Sequence, residues 1–173
     1  ARDEKKRMEG VSFPLPEELQ KPVLGDDAYY GILGDIVTKI RPETESDPAA
    51  LLVQFLVMVG NMIGRKPFYD IGGTHHHTNL FAVMVGRTSG GRKGTSLGKV
   101  RSLLKEVDSD YMASCIKSGL TSGEGLIYHV RDTSPQGSGA SGQALPTAAG
   151  IIDKRLMAVE SEFSSVLKAM GRQ

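Results

Sequence analysis

The spacing of apolar residues predicts two helices before residue 66. In DDAYYGILGDIVTKI, which begins at Asp26, apolar side chains recur every three or four residues: Tyr30, Leu33, Val37 and Ile40. Arg41-Pro42 is expected to end this helix, because a residue before proline avoids the helical region. A second helix is predicted from Pro48 to about Ile63, with Asp47 as its N-cap. This run is apolar on nearly every face, which predicts a buried helix.

The middle of the chain alternates between predicted strands, glycine turns and a helix. PFYDI and THHHTNLFAVMV are separated by Gly72-Gly73, which predicts a hairpin that runs into a buried strand, Leu80 to Val85. After a glycine-rich loop, apolar residues at helical spacing predict a helix through Leu97, Val100, Leu103, Leu104 and Val107. Tyr111 to Ile116 predicts a second short strand.

Two more elements are predicted toward the end of the chain. Ser122 is a natural cap for a helix with Glu124 in its first turn. Its expected inward side chains are Leu126, Ile127 and Val130. Leu156 to Val159 predicts a third strand, followed by an acidic turn. An amphipathic helix then follows, with apolar positions at Phe163, Val166, Leu167 and Met170.

Changes in composition divide the chain into three parts. Residues 1–25 mix charge with three prolines and predict an extended arm, and residues 26–66 form an N-terminal helical segment. Residues 67–173 carry the strands and helices of an α/β core, interrupted at 133–150 by a Ser, Gly, Ala and Pro stretch that predicts a flexible insertion. The 173 residues suffice for one domain.

Composition excludes several classes of protein. Apolar residues make up 39% and charged residues 24%, which is typical of soluble globular proteins, and a net charge of +1 indicates no global preference for nucleic acid. The single cysteine excludes an internal disulfide and favours a reducing compartment, so a cytoplasmic location is expected. The charged N-terminus is not an export signal, and no apolar run reaches the roughly 18 residues that span a bilayer.

The glycine-rich loop from Gly86 to Ser96 is the main candidate site. A loop between a strand and a helix points its backbone N–H groups at one spot, which favours an anion. GRTSGGRKGTS departs from the usual GxxxxGK followed by Ser or Thr. When the pattern is aligned on Gly86, Arg92 takes the lysine position. When it is aligned on Lys93, the hydroxyl residues Thr95 and Ser96 come one position too late. The candidate phosphate ligands are Gly86, Arg87, Gly90, Gly91, Arg92, Lys93, Gly94, Thr95 and Ser96.

Charge supports a polyphosphate ligand for this loop. Between Gly86 and Lys105 the chain carries no acid and these basic residues: Arg87, Arg92, Lys93, Lys99, Arg101 and Lys105. The alternative is a Gly/Ser-rich surface loop with a solvated basic helix behind it.

Two carboxylates, Glu160 and Glu124, are candidates for the acidic groups that nucleotide hydrolysis needs. Hydrolysis requires a phosphate cradle, an acid for Mg²⁺ and a group that orients water. Glu160 follows four apolar residues, as in a Walker B element, and is the candidate metal acid; the alternative is a strand-terminal glutamate in solvent. Glu124 is the candidate catalytic glutamate, with Glu162 as a rival, although Glu124 also fits ordinary first-turn dipole chemistry.

Three consecutive histidines, His75 to His77, raise the possibility of a metal site. Adjacent strand residues point to opposite sides, and no acid or cysteine lies nearby at ligand spacing. Loop or strand-edge histidines are therefore the favoured interpretation.

The chain resembles the helicase-like ATPase domain found with primase-polymerases of phages, plasmids and integrated elements. The stretches that carry the resemblance are TESDPAALLVQFLVMVGNMIGRKPF, HTNLFAVMVGRTSGGRKGTSLG, SGLTSGEGLIYHVRD and DKRLMAVESEFSSVLKAM. The loop sequence RKGTS is similar to that family's own variant of the phosphate-binding loop. By this resemblance Lys93 is the phosphate lysine, Thr95 the metal hydroxyl and Glu160 the Walker B acid.

The resemblance implies a partial RecA-like P-loop NTPase core, a mainly parallel sheet flanked by helices, with an N-terminal helical segment. It further implies ATP and Mg²⁺ as cofactors, single-stranded DNA as partner, a homo-oligomer or ring, and a primase-polymerase domain in the full-length protein. Since the later strands and the arginine finger of such ATPases would follow Glu160, the chain is expected to be the first half of an ATPase core.

The expected function is therefore ATP binding and hydrolysis in a DNA helicase or DNA-remodelling protein of mobile-element replication. Two alternatives stay open. One is a nucleotide-binding or oligomerisation module without turnover. The other is a non-enzymatic DNA-binding domain that uses Arg87, Arg92, Lys99 and Arg101.

Overall fold

The computed structural model describes residues 23–86, 93–119, 122–133 and 150–162, together with residues 164, 167, 168 and 171. Within these ranges the chain is a mixed α/β protein with small sheets, so the predicted class is confirmed at this level. Its helices are α1 (Gly31–Ile40), α2 (Pro48–Ile63), α3 (Lys93–Lys105), α4 (Ser109–Ser114) and α5 (Gly123–His129). Its strands are β1 (Phe68–Ile71), β2 (Thr74–His77), β3 (Ile116–Lys117) and β4 (Met157–Ala158).

Helix α2 begins as predicted and forms the centre of the fold. The Asp47 carboxylate accepts a 2.9 Å hydrogen bond from the Ala49 N–H, and Pro48 occupies the first helical position. The buried side chains come mainly from α1, α2, α3 and α4: Val37, Leu51, Phe55, Met58, Val100, Leu104 and Tyr111. Helix α2 therefore lies between α1 and α3, and its apolar character follows from burial on more than one side.

Helix α1 begins later than predicted. Asp26–Ala28 form a separate 3₁₀ turn, and α1 begins at Gly31, whose φ of +67° lies outside the right-handed helical region, so the helix does not extend back beyond it. Tyr30, predicted to face inward, is 81% exposed, so that assignment is wrong. The predicted end holds, because the α-helix stops at Ile40 and Pro42 lies in a short 3₁₀ turn.

The hairpin at Gly72-Gly73 is confirmed. Strands β1 and β2 pair antiparallel, with Phe68 opposite His77 and Ile71 opposite Thr74. Gly72 and Gly73 have φ of 59° and 85°, and a two-residue turn of this kind requires positive φ at both central residues. Every hairpin residue except His77 is exposed, so the hairpin projects from the core.

The predicted buried strand from Leu80 to Val85 is wrong. Residues 80–86 form no strand, and Phe81 is 95% exposed. An apolar run indicates burial but does not supply a partner, and a strand exists only where a neighbour shares its hydrogen bonds. In the described part of the chain β4 pairs with β3, and neither pairs with residues 80–86.

Tyr111 to Ile116 is mostly helical, which corrects the predicted second strand. The Asp108 carboxylate accepts a 2.9 Å hydrogen bond from the Tyr111 N–H and so caps α4. Only Ile116–Lys117 are extended. They pair in parallel with Met157–Ala158, within the predicted third strand.

Helix α5 starts at the predicted cap, but its predicted inward face is wrong at two positions. The Ser122 hydroxyl accepts a hydrogen bond from the Gly125 N–H. Leu126 and Ile127 are nevertheless exposed, because none of the other described elements covers this short helix. Residues 1–22 of the predicted arm (1–25), residues 134–149 of the predicted insertion (133–150) and most of the last predicted helix lie outside the described residues.

Candidate phosphate-binding site

The start of α3 brings together the two ends of the glycine loop. Lys93 is the first residue of this 13-residue helix, which has no acid in its first turn. The exposed Lys93 ammonium donates a 3.4 Å hydrogen bond to the Gly86 carbonyl. A positive side chain therefore lies beside the N–H groups of a helix N-terminus, where an anion is favoured. The candidate ligands Arg87, Gly90, Gly91 and Arg92 lie outside the described residues.

The structure distinguishes the two candidate hydroxyls of the loop. Ser96 is only 1% exposed, and its hydroxyl donates a 2.9 Å hydrogen bond to the Lys93 carbonyl inside the first turn. Thr95 and Gly94 are exposed, and the space around the Gly94 Cα is open. The Thr95 hydroxyl is thus the one accessible to a ligand, whereas the Ser96 hydroxyl is used in a hydrogen bond within the first turn of α3.

Gln54 is a residue of this site that the sequence analysis missed. It is 8% exposed on α2, and its Nε2 lies 3.4 Å from both the Met84 sulfur and the Lys93 carbonyl oxygen. Its Oε1 is buried and has no hydrogen-bond partner among the described residues, an arrangement that usually costs stability. A glutamine within the mostly apolar run of α2 was the available signal, because an amide on a buried face needs partners.

The segment before the loop runs along α2 in a defined direction. The Thr78 hydroxyl donates a 2.8 Å hydrogen bond to the Gly60 carbonyl near the C-terminal end of α2. Six residues later, Met84 contacts Gln54, nearly two turns closer to the N-terminus of α2. The segment 78–86 is therefore antiparallel to α2.

The segment that leads to Glu160 packs on the C-terminal part of α2. Arg155 donates a 2.8 Å hydrogen bond to the Met62 carbonyl, and the next carbonyl along, that of Leu156, accepts one of 3.0 Å from Asn61. Asn61 and Gln54 are seven residues apart, which places them on one face of α2 and about 10 Å apart along its axis. The segments that lead to the loop and to Glu160 therefore contact the same face of α2.

The two catalytic candidates differ in their surroundings. Glu160 is half-buried and follows β4, where the Val159 N–H donates a 2.9 Å hydrogen bond to the Lys117 carbonyl. Glu124 is exposed in the first turn of α5.

A cluster around Arg155 fixes the start of β4. Its guanidinium contacts the Asp153 carboxylate at 2.6 Å and the Asp108 carboxylate at 3.3 Å, and lies over the Tyr111 ring. Hydrogen bonds from Arg155 hold the pKa of Asp153 down, at about 2. Burial raises the pKa of the Tyr111 phenol. This cluster joins α2, α4 and β4 and therefore supports the position of Glu160.

The histidines of the hairpin do not assemble a metal centre in the described residues. His75 stacks on the Phe68 ring with centroids 3.8 Å apart, and its Nε2 lies 3.4 Å from the Asp70 carboxylate. Across the described ranges, no group of three His, Cys, Asp or Glu side chains could hold a metal ion.

Comparisons with protein-family models, curated proteins and solved structures find no match for this chain. Among the described helices, none combines the length and the apolar character needed to cross a membrane. The chemistry of the protein must therefore be inferred from the residues at the start of α3 and the end of β4.

Proposed function

We propose that the chain is the ATP-binding and ATP-hydrolysing part of a DNA helicase or DNA-remodelling protein of a mobile genetic element, with a partial RecA-like P-loop core. The observation that supports the proposal best is the packing of two segments on one face of α2. One leads to Lys93 and the other to Glu160. A phosphate-binding loop and a metal acid must lie near each other, and packing on one face of the same helix favours this.

The residues at the start of α3 suit a triphosphate. In this proposal the Lys93 ammonium and the first N–H groups of α3 hold the phosphate oxygens, while the Thr95 hydroxyl and the Glu160 carboxylate hold Mg²⁺ directly or through water. Magnesium is usually bound by one or two protein oxygens together with phosphate oxygens and water. The proposal therefore does not need a cluster of three acidic side chains. The bound ion would offset the charge of the phosphates.

The hydrolytic step needs a carboxylate that orients water. Water attacks the γ-phosphorus, the bond to the bridging oxygen of ADP breaks, and inorganic phosphate leaves. Glu124 is the first candidate for the orienting group and Glu162 the second. The exposed position of Glu124 on α5 requires that it approach the loop when nucleotide or DNA binds.

Steady-state phosphate release with and without single-stranded DNA tests this function. DNA should stimulate turnover by the unmodified chain, and Glu160→Gln should reduce it by about 100-fold or more. Lys105→Ala, at the exposed last turn of α3, is the matched control for Lys93→Ala and should leave turnover unchanged. Assays over a range of protein concentrations reveal any need for assembly. Turnover that survives both Lys93→Ala and Glu160→Gln would exclude this site as its source.

A second candidate function is nucleotide binding without turnover. The observation that favours it is the position of Glu124, which is exposed in the first turn of α5. Nucleotide affinity that depends on Lys93, with no phosphate release at any protein or DNA concentration, would identify this function. The purely DNA-binding alternative is less favoured, because Lys99 already lies 3.7 Å from the Glu43 carboxylate.

A further inference from the structure

The hairpin β1–β2 presents an aromatic side chain that no other part of the described chain covers. Tyr69 is 71% exposed, although it lies in the middle of a paired strand. Side chains of a strand alternate between two faces, so Tyr69 shares one face with Ile71 and with the cross-strand residues Thr74 and His76. An isolated two-stranded hairpin in water is marginal. Two large side chains, Tyr69 and Ile71, left open on one face of such a hairpin indicate a binding surface.

The opposite face of the hairpin is occupied by its own contacts. Phe68 and His75 stack there, and the Asp70 carboxylate lies 3.4 Å from His75 Nε2 and accepts a hydrogen bond from the Gly73 N–H. These contacts hold the hairpin together. They also place its only acid on the face away from Tyr69, where it is already engaged.

Charge at the base of the hairpin indicates the class of ligand. Arg65 and Lys66 are exposed and lie just before β1, from which Pro67 separates them. In extended chain three residues span about 10 Å, so the Lys66 ammonium lies within reach of a strand of nucleotides seated on Tyr69. An open ring beside clustered cations is the usual composition of a single-stranded nucleic-acid surface, since bases stack on the ring and phosphates meet the cations.

We infer that the Tyr69 face of the hairpin, with Arg65 and Lys66 at its base, binds single-stranded DNA by base stacking. This inference deepens the proposed function, since it names where that function contacts DNA. The contact itself requires neither ATP nor Mg²⁺. Stacking is tolerant of sequence because every base has a π-face, so the surface would bind DNA without sequence specificity.

Fluorescence anisotropy of a labelled oligothymidylate of about 20 nucleotides tests the inference with the 173-residue chain. Tyr69→Ala should weaken binding by about 5-fold to 100-fold, whereas Tyr69→Phe, which keeps the ring, should stay within about 2-fold. Tyr30→Ala is the matched control, because Tyr30 is also a largely exposed tyrosine and lies outside the hairpin. Equal affinities of the Tyr69→Ala variant and the unmodified chain would overturn the inference.

Salt dependence tests the cations separately. Lys66→Ala should reduce the slope of log affinity against log salt by about 0.7, and Lys39→Ala, at an exposed lysine on α1, should not change it. Circular dichroism of each variant excludes unfolding as the cause. If the oligonucleotide does not bind and Tyr69→Ala instead abolishes self-association in sedimentation, the face is a protein contact and the inference is wrong.

The same experiments separate this inference from the proposed function. Without nucleotide, Lys93→Ala should leave oligothymidylate affinity unchanged. A chain that binds DNA through Tyr69 but never binds ATP would support the hairpin surface and refute the ATPase. A chain that hydrolyses ATP but loses no DNA affinity in Tyr69→Ala would support the ATPase and refute the hairpin surface.

Discussion

The phenolic hydroxyl of Tyr111 donates a 2.8 Å hydrogen bond to Oδ1 of Asn61. The amide nitrogen of the same Asn61 donates to the Leu156 carbonyl at 3.0 Å. One asparagine thus joins α4, α2 and the segment that leads to Glu160. Because Tyr111 is fully buried, its hydroxyl needs this partner, and the position of β4 depends on the pair.

Tyr111→Phe should therefore destabilise the protein. The substitution removes the hydroxyl donor and leaves Oδ1 of Asn61 without a hydrogen bond from Tyr111. We therefore expect a loss of about 1–2 kcal/mol in the free energy of unfolding. Urea denaturation followed by circular dichroism measures this. Tyr69→Phe, at an exposed tyrosine, should change the free energy by less than about 0.5 kcal/mol. Equal stability of the two variants would mean that the Tyr111 hydrogen bond contributes nothing.

Gly60→Ala and Gly98→Ala should have opposite effects, although both glycines lie inside α-helices. A Cβ at Gly60 would overlap the carbonyl oxygen of Thr78, so segment 78–86 would have to move away from α2. A Cβ at Gly98 would meet open space. We expect Gly60→Ala to cost about 1–3 kcal/mol and Gly98→Ala to gain up to about 1 kcal/mol, since alanine favours helix. Thermal unfolding of both variants would show whether the signs differ.

Acid should weaken the contact between Asp153 and Arg155. Hydrogen bonds from Arg155 lower the pKa of Asp153 from 3.8 to about 2 in the folded state. A depressed folded pKa stabilises the protein above the unfolded pKa, and this contribution is lost as pH falls from about 4 to about 2. The unmodified chain should thus be more stable than Asp153→Asn at pH 7, and the difference should shrink over that window.

Urea denaturation at several pH values measures this difference. Asp35→Asn, at an exposed carboxylate on α1, should leave the free energy of unfolding nearly unchanged at each pH. A stability difference between Asp153→Asn and the unmodified chain that is the same at pH 2 and pH 7 would show that this carboxylate does not titrate as described.

The sequence was sufficient to predict those elements that depend on a few neighbouring residues. The Asp47-Pro48 start of α2, the Gly72-Gly73 turn and the Ser122 cap each depend on a few adjacent residues, and all three are observed. Tyr111 to Ile116 was misassigned because apolar residues in a short run fit a strand or a buried helix equally well. The cap at Asp108 decided between them.

The arrangement of the site depends on contacts between distant residues. Residues 80–85 are apolar, but nothing in their own sequence specifies a strand partner. Gln54 lies 39 positions before Lys93, so its contact with the Lys93 carbonyl could not be predicted from spacing. The packing of both segments on α2 also depends on side chains, Thr78 and Asn61, whose partners are far away along the chain.

Isothermal titration of the chain with ATP, with and without Mg²⁺, tests whether the start of α3 is a triphosphate site. We expect binding that strengthens with Mg²⁺, falls about 10-fold or more in Lys93→Ala, and is unchanged in Lys105→Ala. Loss of the Mg²⁺ dependence in Glu160→Gln would support a shared magnesium ion. Absence of binding, or equal affinity in Lys93→Ala and the unmodified chain, would show that this helix start holds no nucleotide.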